Sequence, residues 1–493
     1  MAYEVPVTVL DGLGREQLQE VTVEVLKNRF FVLGLQTGMA LQMLVIATLM
    51  MMVCYSNDGT ASHALQNLSS QYYPLFRALF LVCFFGALHG ITLFIWKRSG
   101  INYRLLLNVP HSHNYHSMIR ASFTVLTVVF SSFVLYVLTL TVDFTPNQHI
   151  WPATALSFSL LYLLAPWSWM AAWADRPQRY TLIRNVFKVL TSPLYPTTFG
   201  LNFVADVFTS MPKVFVDIQF TTCMYMTGEP FQKVTWTDLK TASSMCSDSN
   251  GFYRVIRLVL SVLPFWIRFA QARAAHFPLG ELCLRSWYDS RQPKHLWNAL
   301  KYSLSMVVVV LGVVAHTSLA WLFFALLTTL ATFAWDVTMD WGHGTPKMRA
   351  FLFGEKFGAL TDVPFLRGVR YYPTWCYYAA LPTNAIGRIG LVILISPNQN
   401  VVRQHIVLLL GALEMIRRAQ WSLFRLEWEQ IHRSQDVKAR ATRHRASILS
   451  KELMDDLDKK MTTMAGDAGK ATGSKEVSQE SALATKYVLL SLD

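Results

Sequence analysis

Charge is the scarce ingredient of this chain: only 15% of its 493 residues are Asp, Glu, Lys or Arg, while 53% are hydrophobic. So few charges cannot cover a soluble protein of this size, and the composition points to a multi-span membrane protein. Cysteine is sparse as well. The six cysteines include no CxxC pair and no Cys/His spacing of a zinc site, so no metal and no cofactor is implied. Acidic residues are fewer than basic ones, 31 against 44. The excess of +13 lies in connecting loops and the tail, which makes nucleic acid an unnecessary partner. No removable signal peptide is expected either, because the first long apolar run begins near residue 31 with no small-residue cleavage site behind it.

Apolar windows of about 20 residues, the length that crosses roughly 30 Å of hydrocarbon, recur along the chain. They fall at 31–54, 74–96, 121–142, 151–173, 198–227, 252–270, 296–315, 319–339, 375–396 and 404–425. With the N-terminus in the cytosol, the four inner loops hold 17 Lys and Arg and the five outer connections hold 3. That asymmetry follows the positive-inside rule. The expected fold is therefore all-α: a polytopic membrane protein of about ten transmembrane helices with both termini cytosolic. A cytosolic segment (1–30) precedes the spans, and a basic, partly disordered tail (431–493) follows them. The run "KARATRHR" in that tail is of a kind that meets anionic membrane lipids, although a solvated basic tail explains it equally well. On the outer, oxidising side, Cys223 and Cys246 are expected to bridge, and Asn67 opens the sequon "NLS".

The spans divide by charge. The first four are nearly free of it, which defines an accessory bundle (31–173), whereas a six-helix core (180–430) carries charge in or beside every helix. Between them, "RNVFKVLTSPLYP" is amphipathic and suited to the inner interface. In "LNFVADVFTSMPKVFVD", Asn202, Asp206, Ser210, Lys213 and Asp217 share one helical face, and Pro212 is expected to free a carbonyl for ligand or water. Asn298, Lys301, Tyr302 and Ser305 share another face. Asp336 lies one turn from Asp340, and Asn384 one turn from Arg388. Glu414 reaches Arg417 and Arg418 at i+3 and i+4, Trp421 and Arg425 continue that stripe, and Arg257 and Arg268 bracket the sixth span.

A charge near mid-bilayer costs several kcal/mol, so it faces a bundle interior and marks a pathway or an ion pair. Arg257, Arg268, Lys301, Arg388, Arg417 and Arg418 outnumber Asp206, Asp217, Asp336 and Glu414. Guanidinium forks match tetrahedral oxyanions, which makes phosphate the best-fitting cargo. The interspersed carboxylates would position the forks and keep binding weak enough for release.

At these residues the chain resembles the EXS-domain family, which takes in phosphate exporters of animals and plants and a Golgi protein of yeast. The matching pieces are "FVADVFTSMPKVFVD", "LPFWIRFAQ", "CLRSWYD", "HLWNALKYS", "WDVTMDWG", "YYPTWCYY" and "LEMIRRAQWSLFRLEWE". The resemblance implies a phosphate-conducting core and a homodimer assembled through the accessory helices. It makes Asp206, Lys301, Tyr302, Asp336, Arg388, Glu414, Arg417 and Arg418 phosphate contacts or gates. Arg257 and Arg268 extend the path, with Asp217, Asp340, Asn384 and Trp421 in gate or supporting roles. The chain departs from the exporters at Asn384, where they carry an acid, and at Leu391, where they carry an aromatic. Pro212 stands where a small polar residue is expected, and about a dozen extra residues separate "RFAQ" from "CLRSWYD". Because about 30 residues precede the first span, the exporters' cytosolic SPX domain is expected to be missing. That favours the short Golgi branch and a flux that ignores inositol pyrophosphates.

Two other readings compete with transport. One is a multi-span lipid-phosphate transferase using Asp336 and Asp340, and the other is a Golgi sorting scaffold whose charges are structural. The topology is directly testable: protease added to sealed vesicles, with the lumen equivalent to the cell exterior, should remove both an N-terminal and a C-terminal tag. Protection of either tag rejects the ten-span arrangement.

Overall fold

A computed structural model of the chain describes residues 15–56, 72–110, 113–142, 149–164, 176–191, 198–227, 245–274, 293–315, 317–344, 365–395 and 404–468. No strand occurs among them. The helices are α1 (Arg15–Ser56), α2 (Tyr73–Arg98), α3 (Tyr103–Leu107), α4 (Tyr115–Val142), α5 (Ile150–Leu164) and α6 (Arg176–Leu190). They continue as α7 (Phe199–Phe208), α8 (Pro212–Thr227), α9 (Gly251–Ala274), α10 (Pro293–Val314), α11 (Leu319–Trp335), α12 (Thr374–Ile395) and α13 (Gln404–Ala468). The chain forms two compact units, Met1–Gln430 and Ile431–Asp493. In the second, the described side chains are mostly exposed.

Helix occupies at least part of each predicted window. Among the described residues, five helical segments are long and apolar enough to cross a membrane: Phe30–Leu49, Tyr73–Arg98, Tyr115–Thr139, Trp297–Val314 and Leu319–Asp340. Asn67 and the carboxyl-terminal 25 residues lie outside the described residues. Local signals account for the helix starts. Asn102, Thr198 and Ser318 each accept a hydrogen bond from the backbone N–H three residues on, the N-cap arrangement that satisfies an orphan donor.

Close packing of α2 on α4 depends on glycine. A Cβ at Gly86 would lie 2.5 Å from Ser122 Oγ, and one at Gly90 would lie 2.4 Å from Ile119 Cγ1. The segment "GALHG" is thus a small-xxx-small contact of the membrane type. Toward its start, α2 joins an aromatic cluster in which Phe76 meets Phe133 edge-on at 5.3 Å and Tyr72 meets Tyr136 at 5.6 Å.

The same helix locks onto the core. Arg77 donates from Nε and Nη2 to the two oxygens of Asp217, each at 2.7 Å, and Lys213 approaches the same carboxylate at 3.3 Å. Both members of the Arg77–Asp217 pair are buried, at 2% exposure each, so neither charge has water to fall back on. Nearby, Cys223 and Cys246 are joined by a disulfide.

Two helices depart from regular α geometry where the functional side chains gather. The fifth window is broken: α7 ends at Phe208 and α8 starts at Pro212. Sequence reasoning expected Pro212 to leave a carbonyl free. Instead Met211 N–H donates to Phe208 O at 2.9 Å, recapturing the acceptor that proline abandons. At the end of α11, Asp336–Asp340 form a π-helical turn, closed by Trp341 N–H on Asp336 O at 2.9 Å. Single π turns widen a helix and often mark functional sites. Gly342 follows at φ +72, where a side chain would be strained, and a Cβ there would also stand 2.6 Å from the Trp428 ring.

Two stability experiments follow. Asp217→Ala should remove the carboxylate that offsets Arg77 and Lys213 and cost about 3–5 kcal/mol, whereas a paired Arg77→Leu/Asp217→Leu change should recover much of that. Thermal unfolding in detergent measures both. Mass spectrometry of unreduced peptides should recover the Cys223–Cys246 link, and two free thiols would contradict it.

Candidate functional site

The charged stripes of α7, α9, α10, α11, α12 and α13 converge on two cavities. One, of about 80 Å³, is walled by Asp206, Lys301, Asp336, Asp340, Arg388 and Arg418, with hydroxyls of Thr209, Ser305 and α11 between them. The other, of about 150 Å³, lies among Asn202, Arg268, Asn298 and Arg425, with Phe199 and Trp335. Each exceeds several-fold the roughly 10–15 Å³ that one water requires. Five residues belong to both walls: Asp206, Lys301, Tyr302, Asp340 and Trp421. They form a shared partition between the two spaces.

In the wall of the smaller cavity, Asp336 is the hub. Its Oδ2 accepts from Arg388 Nε at 3.1 Å and from Arg388 Nη2, from Asn384 Nδ2 at 3.1 Å, and more weakly from Arg417 Nη1 at 3.4 Å. Arg417 also donates to Asn384 Oδ1 at 3.1 Å, and its Nε and Nη2 bind the two oxygens of Glu414 at 2.7 Å each. Glu414 and Asn384 are fully enclosed, and Arg417 keeps 2% exposure. Gly387 makes this possible, because a Cβ there would lie 2.7 Å from Arg417 Cδ. Arg417, Glu414 and Asn384 therefore form a scaffold behind the wall.

Arg418, one residue on, points the other way. Its Nε donates to Ser210 Oγ at 2.7 Å and its Nη2 to Thr209 Oγ1 at 3.0 Å, the two hydroxyls in the α7–α8 break. Its guanidinium lies 4.6 Å from the Trp421 ring centre, and the Trp421 indole N–H donates to Asp340 Oδ2 at 3.0 Å. Asp340 also meets Arg425 at 3.6 Å. Asp336 and Asp340, at the two ends of the π turn, thus take separate partners.

On the opposite wall, Arg268 binds Asp206 Oδ1 at 2.6 Å, donates to Tyr302 OH at 3.0 Å, and reaches Asn202 Oδ1 and Gln271 Oε1 at 3.0 and 2.8 Å. Tyr302 OH donates to Asp206 Oδ1 at 3.1 Å. Lys301 is held differently: its ammonium stands 4.2 Å from the Tyr302 ring centre and 4.5 Å from that of Trp335, contacts of cation–π type.

Two sequence candidates stand apart from both walls. Arg257 pairs with Asp248 at 2.6 Å, and Asp217 is taken by Arg77 and Lys213. Each lies on a helix of the core, but helical spacing alone does not reveal which partner a charge finds. Sequence reasoning passed over Thr209, Thr328, Thr329 and Thr332. The run "TTLAT" in an otherwise apolar helix was the available signal. Among the described residues, no group of three or more His, Cys, Asp or Glu is arranged to hold a metal ion.

Near the end of α11 the sequence motifs meet in space. Glu427 accepts from Tyr377 OH at 2.5 Å and Tyr371 N–H at 2.7 Å and pairs with Arg367, which also donates to the Trp341 carbonyl. "WDVTMDWG" and "RRAQWSLFRLEWE" are therefore two sides of one buried joint.

Comparison with known proteins places the chain among its relatives. The chain is 25% identical over 388 residues to solute carrier family 53 member 1 of Homo sapiens, covering 74% of this chain and 51% of that protein. It is 27% identical over 389 residues to the xenotropic and polytropic retrovirus receptor 1 homolog of Xenopus laevis, covering 74% and 51%. It is 26% identical over 414 residues to the phosphate transporter PHO1 of Arabidopsis thaliana, covering 82% and 48%. The chain thus spans about half the length of these relatives. The EXS family model matches residues 72–431, taking in α2 to α5 as well as the charged helices, and the chain belongs to the EXS family.

Proposed function

We propose that this protein moves inorganic phosphate across a membrane through the two cavities, out of the cytosol or across a Golgi-type membrane. The observation that carries the reading is their shared partition. Asp206, Lys301, Tyr302, Asp340 and Trp421 face both spaces, so an anion held on one side is already in contact with residues of the other. On the ten-span topology, the 150 Å³ cavity lies nearer the cytosolic helix ends and receives the anion first. Lys301 and Arg418 then offer charge without closing a cage around it.

The relatives support phosphate as cargo, since one is named a phosphate transporter. Assembly as a homodimer through α1, α2, α4 and α5 and contact of the basic tail with lipid belong to the same proposal. In this reading Arg418 touches the anion and Arg417 positions it by holding Asp336 and Glu414.

The two arginines should separate experimentally. In proteoliposomes loaded with radiolabelled phosphate, Arg418→Lys should lower flux per folded molecule about tenfold or more, because a point charge does not replace a fork bonded at two sites. Arg417→Ala should instead strand the enclosed Glu414 and cost about 3–5 kcal/mol of stability, with flux falling as folded protein is lost. Normal flux per molecule in Arg418→Lys and in Arg418→Ala rejects the conducting role.

A further inference from the structure

The smaller cavity presents acceptors as well as donors to whatever enters it. Among the described residues, every hydrogen bond to the Asp336 carboxylate goes to Oδ2, and both bonds to Asp206 go to Oδ1. Asp336 Oδ1 and Asp206 Oδ2 receive none, and neither is fully enclosed. On the donor side, Arg388 commits Nε and Nη2, Arg418 commits Nε and Nη2, and the Lys301 ammonium rests on two rings with no hydrogen bond among the described residues. Each arginine keeps Nη1, and lysine keeps three protons. One hydroxyl remains, Thr328 Oγ1, which is buried without a partner among the described residues. Its neighbours Thr329 and Thr332 turn their hydroxyls back onto the carbonyls of Ala325 and Thr328 at 2.8 and 2.7 Å.

A carboxylate oxygen can only accept. Facing a fully ionised anion, it repels. Facing an anion that carries a proton, it takes a charge-assisted O–H···O⁻ hydrogen bond, and repulsion becomes recognition. Sulfate and phosphate are both tetrahedral and close in size, but at neutral pH phosphate still carries one or two protons and sulfate carries none.

We infer that this cavity selects oxyanions that retain a proton, accepting hydrogen phosphate through Asp336 and Asp206 and excluding sulfate. The inference rests on the phosphate reading above and adds the basis of its selectivity. The cations set the sign of the ligand, the two free carboxylate oxygens set its protonation, and the Thr328 hydroxyl serves as donor or acceptor. Sites built to bond a hydroxyl reject analogues that lack it far more strongly than apolar pockets reject a shape difference. Unpaired like charge supplies the repulsive half of that discrimination.

The test is competition at neutral pH in proteoliposomes of the full chain. Arsenate, protonated like phosphate, should halve phosphate flux at about equal concentration, while roughly 100-fold excess sulfate or selenate should leave it unchanged. Asp206→Asn and Asp336→Asn each put an amide donor where an oxygen now only accepts, so in either variant sulfate should begin to compete. Wild-type competition decides the matter if the variants fold poorly. Sulfate competing as well as arsenate in the wild type overturns the inference and leaves phosphate transport standing. So does an unchanged sulfate-to-phosphate ratio in both variants when they are folded. Absence of phosphate flux, together with absence of phosphate binding to the detergent-solubilised protein, overturns both.

Discussion

One carboxylate oxygen, Asp336 Oδ2, holds the charged half of this protein together. Donors from α12 and α13 converge on it at the end of α11, and the nearest carry full positive charge. Removing such an acceptor leaves buried guanidinium groups with nothing to offset their lost hydration, a cost far larger than the net worth of the pair. The arrangement therefore fixes three helices in register before any ligand is present. Glu414 completes it from the far side, taking both nitrogens of Arg417 that face it. The neighbouring arginine is then left to a different task.

Irregular backbone is the means by which one helix serves two purposes. Across the π turn, Asp336 binds arginines of α12 and α13, and Asp340 meets an indole in the partition. The break between α7 and α8 acts similarly. It brings Thr209 and Ser210 to Arg418, and the local turn rather than a ligand satisfies the backbone there. Broken helices are tolerated at membrane depth where they line a cavity.

Much of this was legible in the sequence, and the reason is cost. Charges at three- and four-residue spacing inside apolar windows have few physical explanations, so Asp206, Lys301, Arg388 and Arg418 could be singled out from spacing alone, and the fold brings them to one cavity. Hydroxyls carry no such penalty. Thr328 and Thr332 look like ordinary members of an apolar helix, since threonine usually satisfies itself on its own backbone. Pairing across the fold was equally silent. Arg77 sat in a window read as apolar, and only the packing of α2 brings it to Asp217. Arg257 shows the converse case, a charge near the right helices whose partner in the structure is Asp248, in the turn before its own helix. The π turn also left no mark, because helical spacing assumes the regularity that it breaks.

Trp421 couples two walls through chemically distinct parts of one ring. Its face carries the Arg418 guanidinium, and its edge donates to Asp340. Phenylalanine would keep the face and lose the donor, while histidine would keep a donor on a smaller, weaker face. Few replacements preserve both, so positions 340, 418 and 421 constrain one another's evolutionary drift. A change tolerated at one of them is expected to need a matching change at another, even though Asp340 and Arg418 form no bond of their own.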